Sequence, residues 1–207
     1  MADTNKNIFD LTGKTVLITG AGGLLGPKHA EAVIEFGARA VITDHHEDRA
    51  IARAEELNSK YGRECAIPFY MDVTDKESIQ NVVNQLDRID VLINNAAKDP
   101  KVKKEAGLTP DSRFETMTEE YWNEGVDAAL NGTFYCSQVV SNKMLQTGGG
   151  VILNIASDLG VIAPDQRLYR KEGLPEDSQN VKPITYSAAK WAIVGMTKYL
   201  AVYFATR

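Results

Sequence analysis

The chain has 207 residues, 43% of them hydrophobic, which suits one large α/β domain with a substantial core. Its formal net charge is −5 and it carries no long basic run, so nucleic acid and anionic membrane are disfavoured as partners. No stretch approaches the ~20 apolar residues of a membrane span, and the two cysteines, Cys65 and Cys136, form neither a disulfide framework nor a metal-ligand spacing.

The opening segment, MADTNKNIFD, is polar and lacks a signal-peptide apolar region. The expectation is a cytoplasmic protein. The cluster Lys101, Lys103 and Lys104 reads as a solvated loop.

Short apolar runs then alternate with helical segments. Lys14–Thr19 is a continuous, β-rich run ended by glycine, which predicts a buried strand. Leu25–Phe36 predicts a helix, and Ala40–Thr43 a second strand. Glu47–Tyr61 predicts a second helix stopped by Gly62. Ala66–Met71 is a third strand. Thr74, with Glu77 behind it, reads as a capping box for a helix to about Leu86.

Val91–Ile93 is a fourth strand. Thr118 opens a long helical stretch to Lys143, broken off by Gly148–Gly150. Val151–Ala156 is a fifth strand, and Thr185–Phe204 a last helix. Such alternation predicts a Rossmann-like, doubly wound parallel sheet in a three-layer αβα fold. Ligands on such sheets bind past the carboxyl ends of the strands. No internal repeat or interdomain linker interrupts the chain, so residues 1–207 read as a single dinucleotide-binding catalytic domain.

The first strand leads into Thr19-Gly20-Ala21-Gly22-Gly23-Leu24-Leu25-Gly26, which opens a helix. Glycines let the backbone approach a pyrophosphate, and the helix N-terminus offers N–H groups and a favourable dipole. The strand-to-helix position is what raises this turn above an ordinary tight loop. Asp44 closes the second strand, near the ~20-residue spacing of a ribose-binding acid. A carboxylate there accepts from both ribose hydroxyls and repels a 2′-phosphate, which favours NAD over NADP. His45, His46 and Arg49 offer positive charge nearby that would suit a 2′-phosphate, against the preferred reading of an exposed helix start. His29, His45 and His46 have no acidic or thiol partner at ligand spacing, so no metal is expected.

On these motifs the sequence resembles the short-chain dehydrogenase/reductase family over essentially its whole length. Thr19 to Gly26 looks like the family's Thr-Gly-x-x-x-Gly-x-Gly loop. Asp72-Val73 resembles its adenine-contacting acid. Asn94-Asn95-Ala96-Ala97 resembles the Asn-Asn-Ala-Gly element that supports the sheet and lines the cofactor. Ser157 stands where the family keeps its catalytic serine, and Tyr186-Ser187-Ala188-Ala189-Lys190 matches its Tyr-x-x-x-Lys.

The resemblance therefore implies Ser157, Tyr186 and Lys190 as catalytic residues. It implies Gly20, Gly22, Gly23, Leu24, Leu25, Gly26, Asp44, Asp72, Val73, Asn95, Ala96, Ala97, Tyr186 and Lys190 around the cofactor. The chemistry stands on its own terms. Oxidising a secondary alcohol needs a hydride acceptor and a base. Tyrosine ionises only near pH ~10 and is a poor base at neutrality. Lys190 lies one helical turn on, so its charge favours tyrosinate.

Three departures shape the expectations. Leu24 replaces the loop's usual middle glycine. Ala129 stands where the family has an asparagine that kinks the central helix and joins a proton relay, and Asn131 is too far round the helix to inherit that role. Between Ser157 and Tyr186 lies an insert at about 158–183, polar and broken by Pro and Gly. Loops this long are commonly functional. Arg167, Tyr169, Arg170 and Lys171 are its candidates for recognising a polar, sugar-like or anionic substrate, against an ordinary solvated insert.

The chain ends at the last helix, where the resemblance implies further strands and a substrate-covering segment. The expectation is a C-terminally incomplete domain with weak stability and weak turnover. The leading reading is an oxidoreductase moving a hydride between NAD(H) and a secondary alcohol or ketone, with a sugar-like substrate suggested by the insert. The alternatives are a 3-oxoacyl reductase and a non-catalytic nucleotide-binding module. The resemblance further implies a homodimer or homotetramer.

Overall fold

The computed structural model describes residues 8–98 and 112–206. The cluster Lys101, Lys103 and Lys104 lies outside the described residues. The chain divides into two compact units, one built from residues up to Ala96 and from Phe134–Ile155, the other from Ala97–Thr133 and Ala156–Thr206.

The first unit is a five-stranded sheet with its helices. Its strands are β1 (Thr15–Ile18), β2 (Arg39–Asp44), β3 (Ala66–Tyr70), β4 (Val91–Asn94) and β5 (Val151–Asn154). They lie in the order β3-β2-β1-β4-β5, and every pairing is parallel. The crossovers run through α1 (Gly26–Glu35), α2 (Glu47–Tyr61), α3 (Lys76–Asn84) and α5 (Gly132–Gln146).

The strand pleat divides the core in two. Val16 and Ile18 of β1 join Ala30 and Ile34 of α1 and Ala54 and Leu57 of α2 on one face. Leu17 points the other way, among Ile79, Val82 and Val83 of α3 and Val139 and Val140 of α5. This is the three-layer Rossmann-like arrangement, with helices on both sheet faces. β1 is buried on both sides, which is why its sequence is a continuous apolar run rather than an alternating one. Each fully buried aliphatic side chain of this kind contributes roughly 1.5–3 kcal/mol.

α2 spans the predicted residues and stops at Gly62, whose φ is 61°. The start of α3 differs from the sequence expectation. Asp75, not Thr74, is its N-cap, accepting from the Glu77 amide at 2.9 Å. The Thr74 hydroxyl instead donates to Asp72 at 2.7 Å. Two adjacent capping residues competed, and the carboxylate of Asp72 captured the threonine.

The second unit holds α4 (Glu119–Val126) and α6 (Ile184–Tyr203), which pack together, and three short 3₁₀ turns at Asp158–Gly160, Gln166–Tyr169 and Glu176–Ser178. Thr118 caps α4 as expected, accepting from the Tyr121 amide at 3.2 Å. The predicted long helix is not uniform. A π-helical turn over Asp127–Asn131 separates α4 from α5. Wide turns of this kind are frequent at functional sites.

Candidate active site

The first unit presents the nucleotide loop past the end of β1. Gly20 adopts φ 61°, and a Cβ built there would sit 2.9 Å from the Ala96 Cα. Only glycine allows that turn and that closeness together. Thr19 fixes the loop from below. Its hydroxyl accepts from the Asn95 and Ala96 amides at 3.0 and 2.9 Å. The Asn95 side chain returns the contact, donating to the carbonyls of Thr19 and Gly20 at 2.9 and 3.1 Å. Asn95 is thus a strut between the ends of β1 and β4.

Asp44 sits beside the same loop. It is buried, and its two oxygens accept from the Gly22 amide at 3.1 Å and the His46 amide at 3.0 Å. A Cβ at Gly22 would meet Asp44 Oδ2 at 2.9 Å and Arg49 Cβ at 2.7 Å. A bare backbone is required there to bring the loop to the carboxylate. Leu24 and Leu25 are exposed, and Leu25 precedes α1 without a side-chain cap. Pro27 opens the helix, where a missing N–H costs nothing. The loop after β1 is therefore bare glycine backbone where it meets Asp44 and Ala96.

Asp72 and Val73 follow β3. Asp72 is half-buried and accepts from the Thr74 amide at 2.8 Å, and Val73 is buried. Ala97 is exposed at the start of the second unit. Among the described residues, no group of three or more His, Cys, Asp or Glu is arranged to hold a metal ion. No helix among them is long and apolar enough to cross a membrane.

In the second unit, Tyr186 lies in the first turn of α6, where the helix dipole favours negative charge. Lys190 is buried, with its ammonium 5.6 Å from the centroid of the Tyr186 ring. The predicted pair is therefore brought together. Gly160 lets the turn that follows Ser157 lie on α6, since a Cβ there would meet the Lys190 carbonyl at 2.8 Å. Ser157 caps this turn. Its hydroxyl donates to Asp158 at 2.8 Å and accepts from the Leu159 amide at 3.2 Å. To donate to a substrate oxygen, it must rotate away from Asp158.

The π turn carries the position of the absent asparagine. The Ala129 carbonyl accepts from the Thr133 hydroxyl at 2.7 Å, and Asn131 donates to Asp127 at 2.6 Å. Asn131 is thus committed within its own turn.

The insert is folded on itself. Arg167 forks onto Asp165 and Arg170 onto Glu176, and in each pair the cation holds the carboxyl below its ordinary range. Two of the four residues expected to face a substrate are thereby engaged inside the insert. The Gln179 side chain accepts from the Lys171 amide and donates to the Lys171 and Leu174 carbonyls. Gln166 likewise holds both the amide and the carbonyl of Lys182. Sequence reading missed Lys182, whose ammonium lies 4.4 Å from the Tyr186 ring centroid. Its one signal was a lysine just ahead of Pro183 and the Tyr-x-x-x-Lys.

The family model described as short chain dehydrogenase matches residues 14–169. The chain belongs to the short-chain dehydrogenase family. This dehydrogenase is 31% identical to an NAD-dependent glycerol dehydrogenase of Listeria innocua, over 95% of this chain and 67% of that protein. It is 33% identical to a 3-oxoacyl-acyl-carrier-protein reductase of Aquifex aeolicus, over 95% of this chain and 70% of that one. Among solved structures it resembles a gluconate 5-dehydrogenase of Burkholderia cenocepacia in complex with NADP and tartrate, with a TM-score of 0.77 and 25% identity over 95% of this chain and 68% of that one. The dehydrogenase thus spans about two thirds of the length of these relatives. It is an oxidoreductase that moves a hydride between a nicotinamide cofactor and an alcohol or ketone.

Proposed function

We propose that this dehydrogenase uses NAD(H) and acts on a secondary alcohol or ketone of polyol or sugar-acid character. The observation that carries the catalytic assignment is the buried Lys190 ammonium beside Tyr186 at the N-terminus of α6. Ser157 hydrogen-bonds the substrate oxygen, and Tyr186 takes the proton from it in oxidation or returns it in reduction. The Lys190 ammonium and the dipole of α6 favour the negative charge that develops on the phenol oxygen during this transfer. The nicotinamide ring, when bound, accepts or supplies the hydride.

Gly20, Gly22, Gly23 and Gly26, with Leu24 and Leu25 in the same loop, would hold the pyrophosphate of the cofactor. Asp44 would accept from the adenosine ribose hydroxyls. Asp72 and Val73 would serve the adenine, and Asn95, Ala96 and Ala97 would complete the cofactor's surroundings. The carboxylate of Asp44 supports NAD(H), since it opposes a 2′-phosphate. The glycerol dehydrogenase and gluconate dehydrogenase among its likenesses support a polyhydroxylated substrate.

A second reading, a 3-oxoacyl reductase, rests on the Aquifex relative. It calls for NADP(H), which Asp44 opposes. A thermal-shift comparison of NAD and NADP followed by a panel of polyols, sugar acids and 3-oxoacyl thioesters separates the two, because a bound ligand raises the melting temperature by mass action. Stabilisation by NAD with polyol turnover supports the first reading. Stabilisation by NADP with thioester turnover supports the second.

We further propose a cytoplasmic homodimer or homotetramer. Two buried free thiols, Cys65 and Cys136, suit a reducing compartment. Trp191, Tyr199, Val202 and Tyr203 leave a large exposed apolar face on α6, of the kind that marks association surfaces. Light scattering on the purified protein tests the assembly.

A further inference from the structure

We infer that Lys182 is a positioning residue for the proton transfer, a second cation that stabilises the tyrosinate form of Tyr186 and is held in place by Gln166. The inference rests on the proposed role of Tyr186 as the proton-handling group.

Three observations carry it. The first is placement. The Lys182 ammonium lies 4.4 Å from the Tyr186 ring centroid, nearer than the Lys190 ammonium at 5.6 Å. A cation over a tyrosine face is attracted by the ring quadrupole. Ionisation adds a full negative charge, part of it spread into the ring. The attraction therefore grows on deprotonation, and the charged form gains more than the neutral one.

The second observation is restraint. A lysine carries several rotatable bonds, and a floppy ammonium would spend little time at the ring. Here the backbone is fixed on both sides. Pro183 follows Lys182 and biases it to extended conformation. The Gln166 carboxamide then accepts from the Lys182 amide at 2.9 Å and donates to its carbonyl at 3.1 Å. Gln166 belongs to the 3₁₀ turn Gln166–Tyr169. The insert thus has a specific task at the site, which is to anchor the residue that brings the second cation to the tyrosine.

The third observation is the charge of the surroundings. The elements packed against α6 are the turn Asp158–Gly160, α4 and the π turn. Their ionisable groups are mostly acidic: Asp158, Glu119, Glu120, Glu124 and Asp127, with Tyr121 besides. Glu124 pairs with Lys98, Asp127 accepts from Asn131 and Asp158 from Ser157. Acidic neighbours oppose a tyrosinate. Lys182 and Lys190 are the cations placed against the Tyr186 ring, and the two together offset that opposition.

The test is a pH titration of Tyr186 in the free protein, read by NMR of ¹³Cζ-labelled tyrosine with the Tyr186→Phe variant assigning the resonance. No turnover is needed, so the midpoint is readable even if the dehydrogenase reading fails, and that reading is judged separately by the turnover of Tyr186→Phe. Lys182→Met is expected to raise the midpoint and so lower the tyrosinate fraction at a given pH. Lys182→Arg is expected to leave it close to wild type, and Gln166→Ala to move it part of the way. Lys182→Gln, which keeps a polar side chain, gives the same reading if the methionine variant fails to fold. An unchanged midpoint in the charge-removing variant overturns the inference. So does an unchanged midpoint accompanied by a higher KM for acidic substrates, which would make Lys182 a substrate contact.

Discussion

The Gly22 amide donates to the Asp44 carboxylate at 3.1 Å, and this bond joins the glycine loop after β1 to the end of β2. The residue proposed to select the cofactor thus also shapes the glycine loop. Asp44→Ser removes the charge that repels a 2′-phosphate. Like-charge juxtaposition costs several kcal/mol, so the ratio of kcat/KM for NADP over NAD is expected to rise by roughly 100-fold, about 3 kcal/mol. Steady-state kinetics with both cofactors checks it. An unchanged ratio removes Asp44 from cofactor selection.

Gly26→Ala tests the packing under the loop. A Cβ there would lie 2.4 Å from the Ala21 Cα and 2.8 Å from the Gly20 carbonyl oxygen, both backbone atoms that cannot swing aside. The expected cost is about 1–3 kcal/mol of stability, as for other overpacked sites. Urea unfolding reads this as a lower midpoint with an unchanged slope.

Asp90 ties the N-terminal end of β4 to β1. Burial pushes its carboxyl up. The Thr15 amide, the Arg88 guanidinium and the Lys14 ammonium pull it down further, leaving it below its ordinary value of 3.8. A depressed folded-state value contributes stability that is present above the unfolded-state value and lost as pH falls through the folded one. Asp90→Asn is therefore expected to cost about 1.5–3 kcal/mol at pH 7, the range for hydrogen bonds to a charged group. The gap to wild type should close below about pH 3.8. Chemical denaturation at several pH values measures it, and a constant gap would contradict the assignment.

Gln179 is the buried clasp of the insert, bonded to the backbone of Lys171 and Leu174. Gln179→Ala leaves the Lys171 amide and two carbonyls without that partner. Limited proteolysis is expected to cut within 158–183 several-fold faster. The NAD-induced thermal shift should stay as it was, because the Gln179 bonds lie within the insert and engage none of the residues proposed to hold the cofactor.

The sheet was legible because its inner strands are buried on both faces, so apolar runs such as Thr15–Ile18 and Val91–Asn94 announce themselves. The glycine loop and the Tyr-x-x-x-Lys were legible because each is a local pattern on one element. What stayed hidden depends on contacts between distant residues or on competition between neighbours. Thr74 and Asp75 are both good caps, and only the geometry of Asp72 decides between them. The π turn at Asp127–Asn131 has a helical sequence and a widened hydrogen-bond ladder. Arg167 and Arg170 look available in the sequence, yet carboxylates two and six residues away engage them. Lys182 gains meaning only once Gln166 and Tyr186 are seen around it.

Tyr186 is proposed to handle the proton. The most direct measurement compares Tyr186→Phe with the unaltered protein, reading NAD-induced thermal stabilisation and substrate turnover side by side. The expected result is an unchanged thermal shift and turnover lowered by about 10²–10⁴-fold, the usual contribution of a general acid–base. Turnover within a few-fold of the unaltered protein, at equal cofactor binding, would contradict it.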